Sequence, residues 1–240
     1  MIRLIYESLL QVLFLVPFII PGIRNNKNIK IGILLLAFLL FIVTSVSTDF
    51  FANVSIFEGQ QWNWVGKAVS LFIVLVFIYA YKPITNSQFG MTAKIETNKT
   101  TPIFLVCTGY FVLRLILYLT ITKHTESFHL ETILFQFIMA GTAEEIIFRG
   151  ALLTLLNQVF LKPKWTLINV SFGWSAIITS LLFGFTHGIL LDGNYHFHVN
   201  FPAILRTAFD GFLFALLAEK TKSLMPGILF HNALNLIGNH

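Results

Sequence analysis

Eight apolar stretches follow one another along the chain and are separated by shorter polar connections. Most of them are close to the roughly 20 residues that an α-helix needs to cross a bilayer. Pro17 and Pro21 fall inside the first stretch and are expected to kink or end its helix. The pattern predicts an all-α, polytopic integral membrane protein with about eight transmembrane helices. The stretches are residues 5–23, 31–53, 65–81, 102–122, 131–160, 170–190, 201–219 and 224–237.

The composition supports this interpretation, because 56% of the residues are hydrophobic and only 11% are charged. The net charge is +5, but the Lys and Arg residues are scattered over short connections, which argues against nucleic-acid binding. Cys107 is the single cysteine, so no disulfide can form within the chain. No repeat or separate soluble region is visible, and residues 1–240 are predicted to form one transmembrane domain.

The distribution of basic residues predicts how the chain is oriented in the membrane. Short connections rich in Lys and Arg stay on the cytoplasmic side. The basic residues concentrate in alternate connections, and both termini are therefore predicted to be external. The residues that carry this bias are Arg24, Lys27, Lys30, Lys82, Lys94, Lys99, Lys162, Lys164, Lys220 and Lys222.

Residues 141–150, GTAEEIIFRG, place two carboxylates and a guanidinium inside the fifth apolar stretch. Ionisable groups at such depth are costly and usually serve a function. Glu145 and Arg149 are four residues apart, so they share a helix face and can form an ion pair. Glu144 has no such partner nearby in the sequence, which suits a general base. The alternative is a structural ion pair beside a carboxylate that faces a wet cavity.

Two further apolar stretches carry polar side chains at helical spacing. His187 follows Phe183 by one helical turn, and His231 and Asn235 share a face of the last helix. Each histidine alone is more often a satisfied interior residue than a catalyst. Together with the glutamates, however, these groups predict one site that is assembled from several helices.

Smaller patterns concern helix packing. Gly184 and Gly188 form a small-xxx-small pair that allows close approach of a neighbouring helix. Arg206 and Asp210 stand four apart in the seventh stretch and are expected to pair with each other.

The residue types at this site suit peptide hydrolysis. A carboxylate can activate water with help from an imidazole, while a second histidine and an asparagine stabilise an oxyanion. Alternatively, Glu144, His187 and His231 could bind a zinc ion that acidifies water. Each zinc ligand would then come from a different helix, whereas the metal-free scheme needs only hydrogen-bond reach. We therefore expect no obligatory metal, with zinc as the alternative.

The three motifs carry a family resemblance. Glu144-Glu145-x-x-x-Arg149, Phe183-x-x-x-His187 and His231-x-x-x-Asn235, in this order on separate apolar stretches, resemble the motifs of the CAAX protease and bacteriocin-processing (CPBP) family of intramembrane endopeptidases. That family is related to the Ras-converting CAAX endopeptidases. The resemblance covers roughly residues 136–239, and residues 131–239 are taken as the catalytic core.

The resemblance implies a role for each motif residue. Glu144 and His187 would activate the water, and His231 and Asn235 would stabilise the oxyanion. The supporting residues would be Glu145, Arg149 and Phe183. The resemblance also implies an intramembrane cavity among the later helices, a bacterial cell membrane location, and a peptide or membrane-protein substrate reached within the lipid bilayer.

Two other classes of protein remain as alternatives. A non-proteolytic membrane protein could use the same cavity to bind a peptide or a membrane sensor, in bacteriocin immunity or regulation. A transporter with a proton relay through Glu144 and His187 is disfavoured, because the chain shows no paired half-repeats with interrupted helices. The intact set of motif residues favours the enzyme, since a pure binding protein would be free to lose Glu144 or His187.

Overall fold

The computed structural model describes residues 1–24, 26, 30–121 and 129–238, and these residues are mostly helical. Two small antiparallel sheets complete the described structure. The helices are α1 (Ile2–Leu13), α2 (Val16–Arg24), α3 (Ile31–Phe50), α4 (Trp64–Ala80), α5 (Thr101–Ile121), α6 (Leu130–Leu134), α7 (Gly141–Glu145), α8 (Leu153–Val159), α9 (Trp174–Gly188), α10 (Phe201–Thr221) and α11 (Met225–Gly238).

The helical membrane architecture predicted from the apolar pattern is confirmed, whereas the count of eight crossings is not. Among the described residues, α3, α5 and α10 are long and apolar enough to span a membrane. The α1–α2 pair, bent by 43°, makes a fourth span if it crosses as one unit. The eight crossings and the external termini therefore stay predictions. The loop around Lys27 and the last residue of the catalytic core, Asn239, lie outside the described residues.

The sixth apolar stretch begins differently from its prediction. A helix was expected from Val170, but Lys164–Leu167 (β1) and Val170–Gly173 (β2) form an antiparallel hairpin, and α9 begins only at Trp174. Ile168 and Asn169 connect the strands with φ of 54° and 60°. Positive φ at both central positions is typical of the two-residue turn that suits a β-hairpin. A second hairpin, Ile189–Leu191 (β3) with Phe197–Val199 (β4), follows α9.

The fifth stretch forms one continuous helix over residues 130–159, which we call the glutamate helix. A single helix was predicted here, and it is confirmed. Two π-helical segments, Phe135–Ala140 and Ile146–Leu152, lie within it. They flank α7, which carries Glu144 and Glu145. Such π-helical turns occur frequently at functional sites, because they change the direction in which neighbouring side chains point.

The remaining helices pack around the glutamate helix and fix the position of its side chains. Helices α3, α4, α9, α10 and α11 all contact it. The α9–α10 contact is especially close, because a Cβ on Gly184 would lie 2.7 Å from the Ile204 carbonyl oxygen and one on Gly188 would lie 2.4 Å from Ile204 Cγ1. The small-residue spacing predicted from the sequence therefore brings these two backbones together.

Candidate active site

The predicted site residues from three helices line one cavity of about 300 Å³. Glu144 comes from the glutamate helix, Phe183 and His187 come from α9, and His231 and Asn235 come from α11. Only Glu145 and Arg149 are absent from the cavity wall, and both are buried behind it. The structure thus brings the three sequence motifs together, as a site assembled from several helices requires.

Glu145 is the connection between two of these helices. Its Oε1 accepts a 2.9 Å hydrogen bond from Arg149 Nη1 one turn along the same helix, and a second, also 2.9 Å, from His231 Nδ1 on α11. The side chain of Glu145 is only 1% exposed. A buried carboxylate needs such partners to offset the cost of its desolvation. The ion pair expected from the four-residue spacing is present, and it also anchors the imidazole.

Arg149 is held by a backbone hydrogen bond and by two aromatic rings. Its Nη2 donates to the backbone oxygen of Gly211 at 2.9 Å. The guanidinium carbon lies 4.6 Å from the centre of the Phe183 ring and 5.0 Å from that of Phe214. A guanidinium over aromatic faces gains cation–π attraction, which is larger where water is excluded. Arg149 therefore ties the glutamate helix to α9 and α10, and supplies the charge that balances Glu145.

His231 is oriented by its two nearest neighbours. Because the Glu145 carboxylate accepts hydrogen bonds, His231 Nδ1 carries the proton and donates it. The imidazole stacks on Phe214, with ring centres 4.6 Å apart and planes inclined by 18°. Its other nitrogen, Nε2, lies 3.5 Å from Glu144 Oε2. The buried pair thus fixes the ring so that Nε2 points into the cavity.

His187 is oriented in a similar way from the other side. Its Nδ1 lies 2.8 Å from the backbone oxygen of Phe183, and a carbonyl oxygen can only accept, so Nδ1 carries the proton. In the neutral imidazole, Nε2 is then a lone-pair acceptor. The Phe183 ring lies 4.6 Å from the His187 ring and 5.7 Å from that of His231. The Phe183 ring therefore packs against both imidazoles.

The expectation that Glu144 lacks a partner is wrong. Lys67 on α4 donates a hydrogen bond to Glu144 Oε1 and forms an ion pair with it. The side chains of Lys67 and Glu144 are 18% and 17% exposed, so the pair is only partly shielded from solvent. The two residues are 77 positions apart, and helical spacing could not reveal the pair. The available signal was that Lys67 is the sole charged residue of the apolar helix Trp64–Ala80.

The predicted pairing of Arg206 with Asp210 is also wrong. Asp210 instead accepts a hydrogen bond from the Tyr110 hydroxyl and forms a 3.4 Å ion pair with Arg114, both on α5. A neighbouring helix thus supplies the partners that the i,i+4 rule assigned to α10 itself. Arg114, Arg206 and Asp210 all line the same cavity as Glu144.

A second asparagine of α11 went unnoticed in the sequence. Asn232 is buried, and its Nδ2 donates to the backbone oxygen of Phe137 at 2.6 Å. This bond joins α11 to the first π-helical segment of the glutamate helix. Asn235, one turn from His231, faces the cavity. The two asparagines therefore have different surroundings, one at a helix contact and the other at the site.

The proposed zinc ligands do not form a metal-binding group. Across the part of the chain that the structure describes, no three His, Cys, Asp or Glu side chains are arranged to hold a metal ion. His231 commits Nδ1 to Glu145, His187 commits Nδ1 to Phe183, and Glu144 Oε1 is paired with Lys67. These bonds leave Nε2 of both histidines and Oε2 of Glu144 for the cavity, and the scheme proposed for hydrolysis uses these atoms without a metal.

The structure thus combines a helical membrane fold with a buried group of carboxylates and imidazoles. Residues 126–237 match the family model of the type II CAAX prenyl endopeptidases, Rce1-like. This region is thus an Rce1-like domain of the CPBP family, and the resemblance stated from the three motifs is confirmed. No curated protein and no solved structure matches the chain.

The matched region contains all three motifs but does not contain the whole site. Lys67 and the helices α1 to α5 lie before residue 126. The Rce1-like match supports CAAX-type membrane protease activity in general. The roles of the individual site residues stay predictions.

Proposed function

We propose that this protein is an intramembrane endopeptidase that hydrolyses a peptide bond with a water molecule activated by Glu144 and His187. The observation that carries the proposal is the arrangement of Glu144, His187 and His231 around one cavity, within a region that matches a CAAX endopeptidase family.

Glu144 is suited to act as the general base. Its Oε1 is paired with Lys67, while Oε2 faces the cavity on the side of His231 Nε2. Lys67 favours the ionised carboxylate, and the second oxygen remains available to a water molecule. The lone pair on His187 Nε2 can accept a hydrogen bond from the same water and align it. The attacking oxygen bonds to the peptide carbonyl carbon, and its proton goes to Glu144.

His231 and Asn235 are suited to stabilise the oxyanion that this attack creates. The carboxamide of Asn235 provides N–H donors, and His231 can donate from Nε2 when its imidazole is protonated. The Glu145 carboxylate on Nδ1 stabilises that imidazolium, and Arg149 holds the carboxylate in place. Donors that are fixed before the reaction, in a site with little water, stabilise the transition state strongly.

The second half of the reaction returns the proton. Glu144 delivers it to the peptide nitrogen as the C–N bond breaks, so that the products are a carboxylic acid and an amine, and the proton of the acid then passes to the amine or to solvent. A carboxylate positioned for both transfers contributes about 10²- to 10⁴-fold in rate. No covalent intermediate and no other cofactor are needed to balance this sequence.

The substrate class follows from the cavity and from the family description. A cavity of about 300 Å³ among membrane helices accommodates part of an extended peptide rather than a folded domain. The matching family is that of the type II CAAX prenyl endopeptidases. We therefore propose a peptide or membrane-protein substrate, with a prenylated CAAX-type peptide as the first compound to test.

A cleavage assay with the purified full-length protein in proteoliposomes tests this proposal. Internally quenched peptides, with and without a prenylated CAAX end, are incubated with the wild type, Glu144→Gln and Glu58→Gln. Glu58 lies exposed in the α3–α4 connection, so its variant is a matched control. We expect cleavage by the wild type and Glu58→Gln, and at least about a 100-fold loss for Glu144→Gln.

Two outcomes would contradict the proposal. Equal cleavage by Glu144→Gln and the wild type would exclude Glu144 as the base. Tight binding of the peptides without cleavage by any variant would favour the non-proteolytic binding protein that the sequence left as an alternative.

A further inference from the structure

A second cavity, of about 190 Å³, also adjoins the Lys67–Glu144 pair. It is lined by side chains from α1, α3, α4, the glutamate helix and α9. Three residues line both this cavity and the site cavity: Lys67, Glu144 and His187. The proposed base and its two partners therefore form a thin wall between two separate spaces.

The lining of the second cavity contains many polar side chains. The side chains that line it include Glu7, Gln11, Thr44, Ser45, Thr48, Asp49 and Thr186. Gln11 is 2% exposed, and its Nε2 donates to the Ile189 carbonyl, but its Oε1 has no hydrogen-bond partner among the described residues. A buried amide oxygen without a partner is costly unless water reaches it. The lining thus favours water over lipid or a packed side chain.

The volume and the position of the cavity also suit water. At about 30 Å³ per molecule, 190 Å³ holds about six water molecules. Asp49 is exposed near the end of α3, so the cavity reaches the protein surface there. The other residues around this end are Glu7 of α1, whose Oε2 accepts the Leu191 N–H, and Lys67 near the start of α4.

Hydrolysis consumes one water molecule in every turnover, and the membrane provides none. A peptide in the site cavity would occupy the space through which water could otherwise reach Glu144. We infer that water enters through the second cavity and is delivered to Glu144 and His187 from the side opposite to the substrate. This inference rests on the proposed function, and it assigns the second cavity as the binding site of the co-substrate water.

Thiol labelling tests whether the second cavity is wet, independently of any catalysis. Thr44 and Ser70 are buried hydroxyl residues, 1% and 0% exposed, and each donates its hydroxyl to a backbone oxygen of the preceding turn. Thr44 lines the second cavity, whereas Ser70 lines neither this cavity nor the site cavity. Thr44 and Ser70 therefore differ mainly in whether they contact the second cavity.

Each of these residues is changed to cysteine in a Cys107→Ser background, and the folded protein is treated with the small cationic reagent aminoethyl methanethiosulfonate. Only a hydrated thiol ionises to the reactive thiolate, so Thr44→Cys should react at least about tenfold faster than Ser70→Cys. Both should react fully after denaturation. Equal, slow labelling of the two folded variants would overturn the inference.

A kinetic experiment tests whether turnover depends on the second cavity. Ser45→Leu narrows the second cavity, whereas Ser47→Leu makes the same change on the same helix at a position that lines none of the described cavities. We expect kcat of Ser45→Leu to fall about tenfold with KM changed less than about twofold, because substrate binding is untouched. Ser47→Leu should match the wild type, and both variants should melt normally.

The labelling and kinetic experiments distinguish the proposed protease function from the proposed water route. If the wild type cleaves no peptide but Thr44→Cys is labelled rapidly, the proposed function fails and the wet cavity stands. If the wild type cleaves and Ser45→Leu retains its full kcat, the water route is wrong while the protease assignment stands.

Discussion

His231 and Glu145 lie 86 positions apart in the chain, and they are joined by a 2.9 Å hydrogen bond between Nδ1 and Oε1. The same carboxylate oxygen is paired with Arg149 at 2.9 Å. One buried carboxylate thus neutralises a guanidinium and orients an imidazole at once. The neighbouring Glu144 faces the cavity and Lys67 instead. Two adjacent glutamates therefore have different surroundings, and the proposed function assigns Glu145 a supporting role and Glu144 the reactive one.

The two glutamates should differ in what their loss does to stability. Glu145→Gln leaves Arg149 buried without its counter-ion, and we expect a loss of about 3 to 5 kcal/mol in the free energy of unfolding. Glu144→Gln affects a partly exposed ion pair, and the expected loss is about 1 kcal/mol or less. Thermal melts of the two variants in detergent measure the difference. Equal losses would show that this division between the carboxylates is mistaken.

Lys67 should act as a positioning residue for Glu144. Lys67→Met removes the ammonium group that holds the carboxylate, and we expect kcat to fall about tenfold, equivalent to about 1.4 kcal/mol of transition-state stabilisation. Lys67→Arg keeps the charge and should restore most of the activity. Lys82→Met, at an exposed position beyond α4, is the control. A loss that appears in KM with kcat unchanged would instead place Lys67 in substrate binding.

Adding a methyl group at Gly211 should lower both stability and activity. A Cβ there would lie 3.0 Å from Arg149 Nη2 and 3.1 Å from Phe183 Cδ1. Gly211→Ala is therefore expected to displace the guanidinium and lower both the melting temperature and the activity. Gly109→Ala is the matched control, because nothing lies within 4 Å of its Cβ position. In that helix, alanine should stabilise by about 0.5–1 kcal/mol. Similar melting shifts for the two variants would contradict the tight packing of Arg149.

Whether the sequence could predict an interaction depended on how far apart the two residues lie in the chain. Glu145 with Arg149, and His231 with Asn235, are each four residues apart, so the geometry of a single helix places each pair on one face. The apolar stretches likewise predicted the helices, because helix burial in a membrane depends on local composition. Such features need no knowledge of the tertiary structure.

The sequence did not predict contacts between helices that are distant from each other in the chain. The partners of Glu144 and Asp210 come from α4 and α5, and nothing in the spacing of either segment selects them. The two π-helical segments change the hydrogen-bond register without changing the apolar pattern, so they leave no signal there. The first hairpin depends on positive φ at Ile168, an unusual conformation for a β-branched residue.

A metal-free site predicts indifference to chelators. The wild-type cleavage rate should be unchanged by 1,10-phenanthroline and by its non-chelating isomer, because the proposed scheme activates water with Glu144 and His187 and needs no metal. The measurement is the initial rate in proteoliposomes after prolonged incubation with each compound. Activity that disappears with the chelator alone and returns with stoichiometric zinc would establish a metal-dependent reaction.

The most direct test of the central claim, that Glu144 activates water for peptide hydrolysis, is the fate of the water oxygen. Purified wild type, Glu144→Gln and Glu58→Gln are incubated with a cleavable peptide in oxygen-18 water, and the products are analysed by mass spectrometry. We predict that the wild type and Glu58→Gln place one oxygen-18 atom in the new carboxylate, and that Glu144→Gln forms neither product nor label. Labelled product from Glu144→Gln at the wild-type rate would contradict the account.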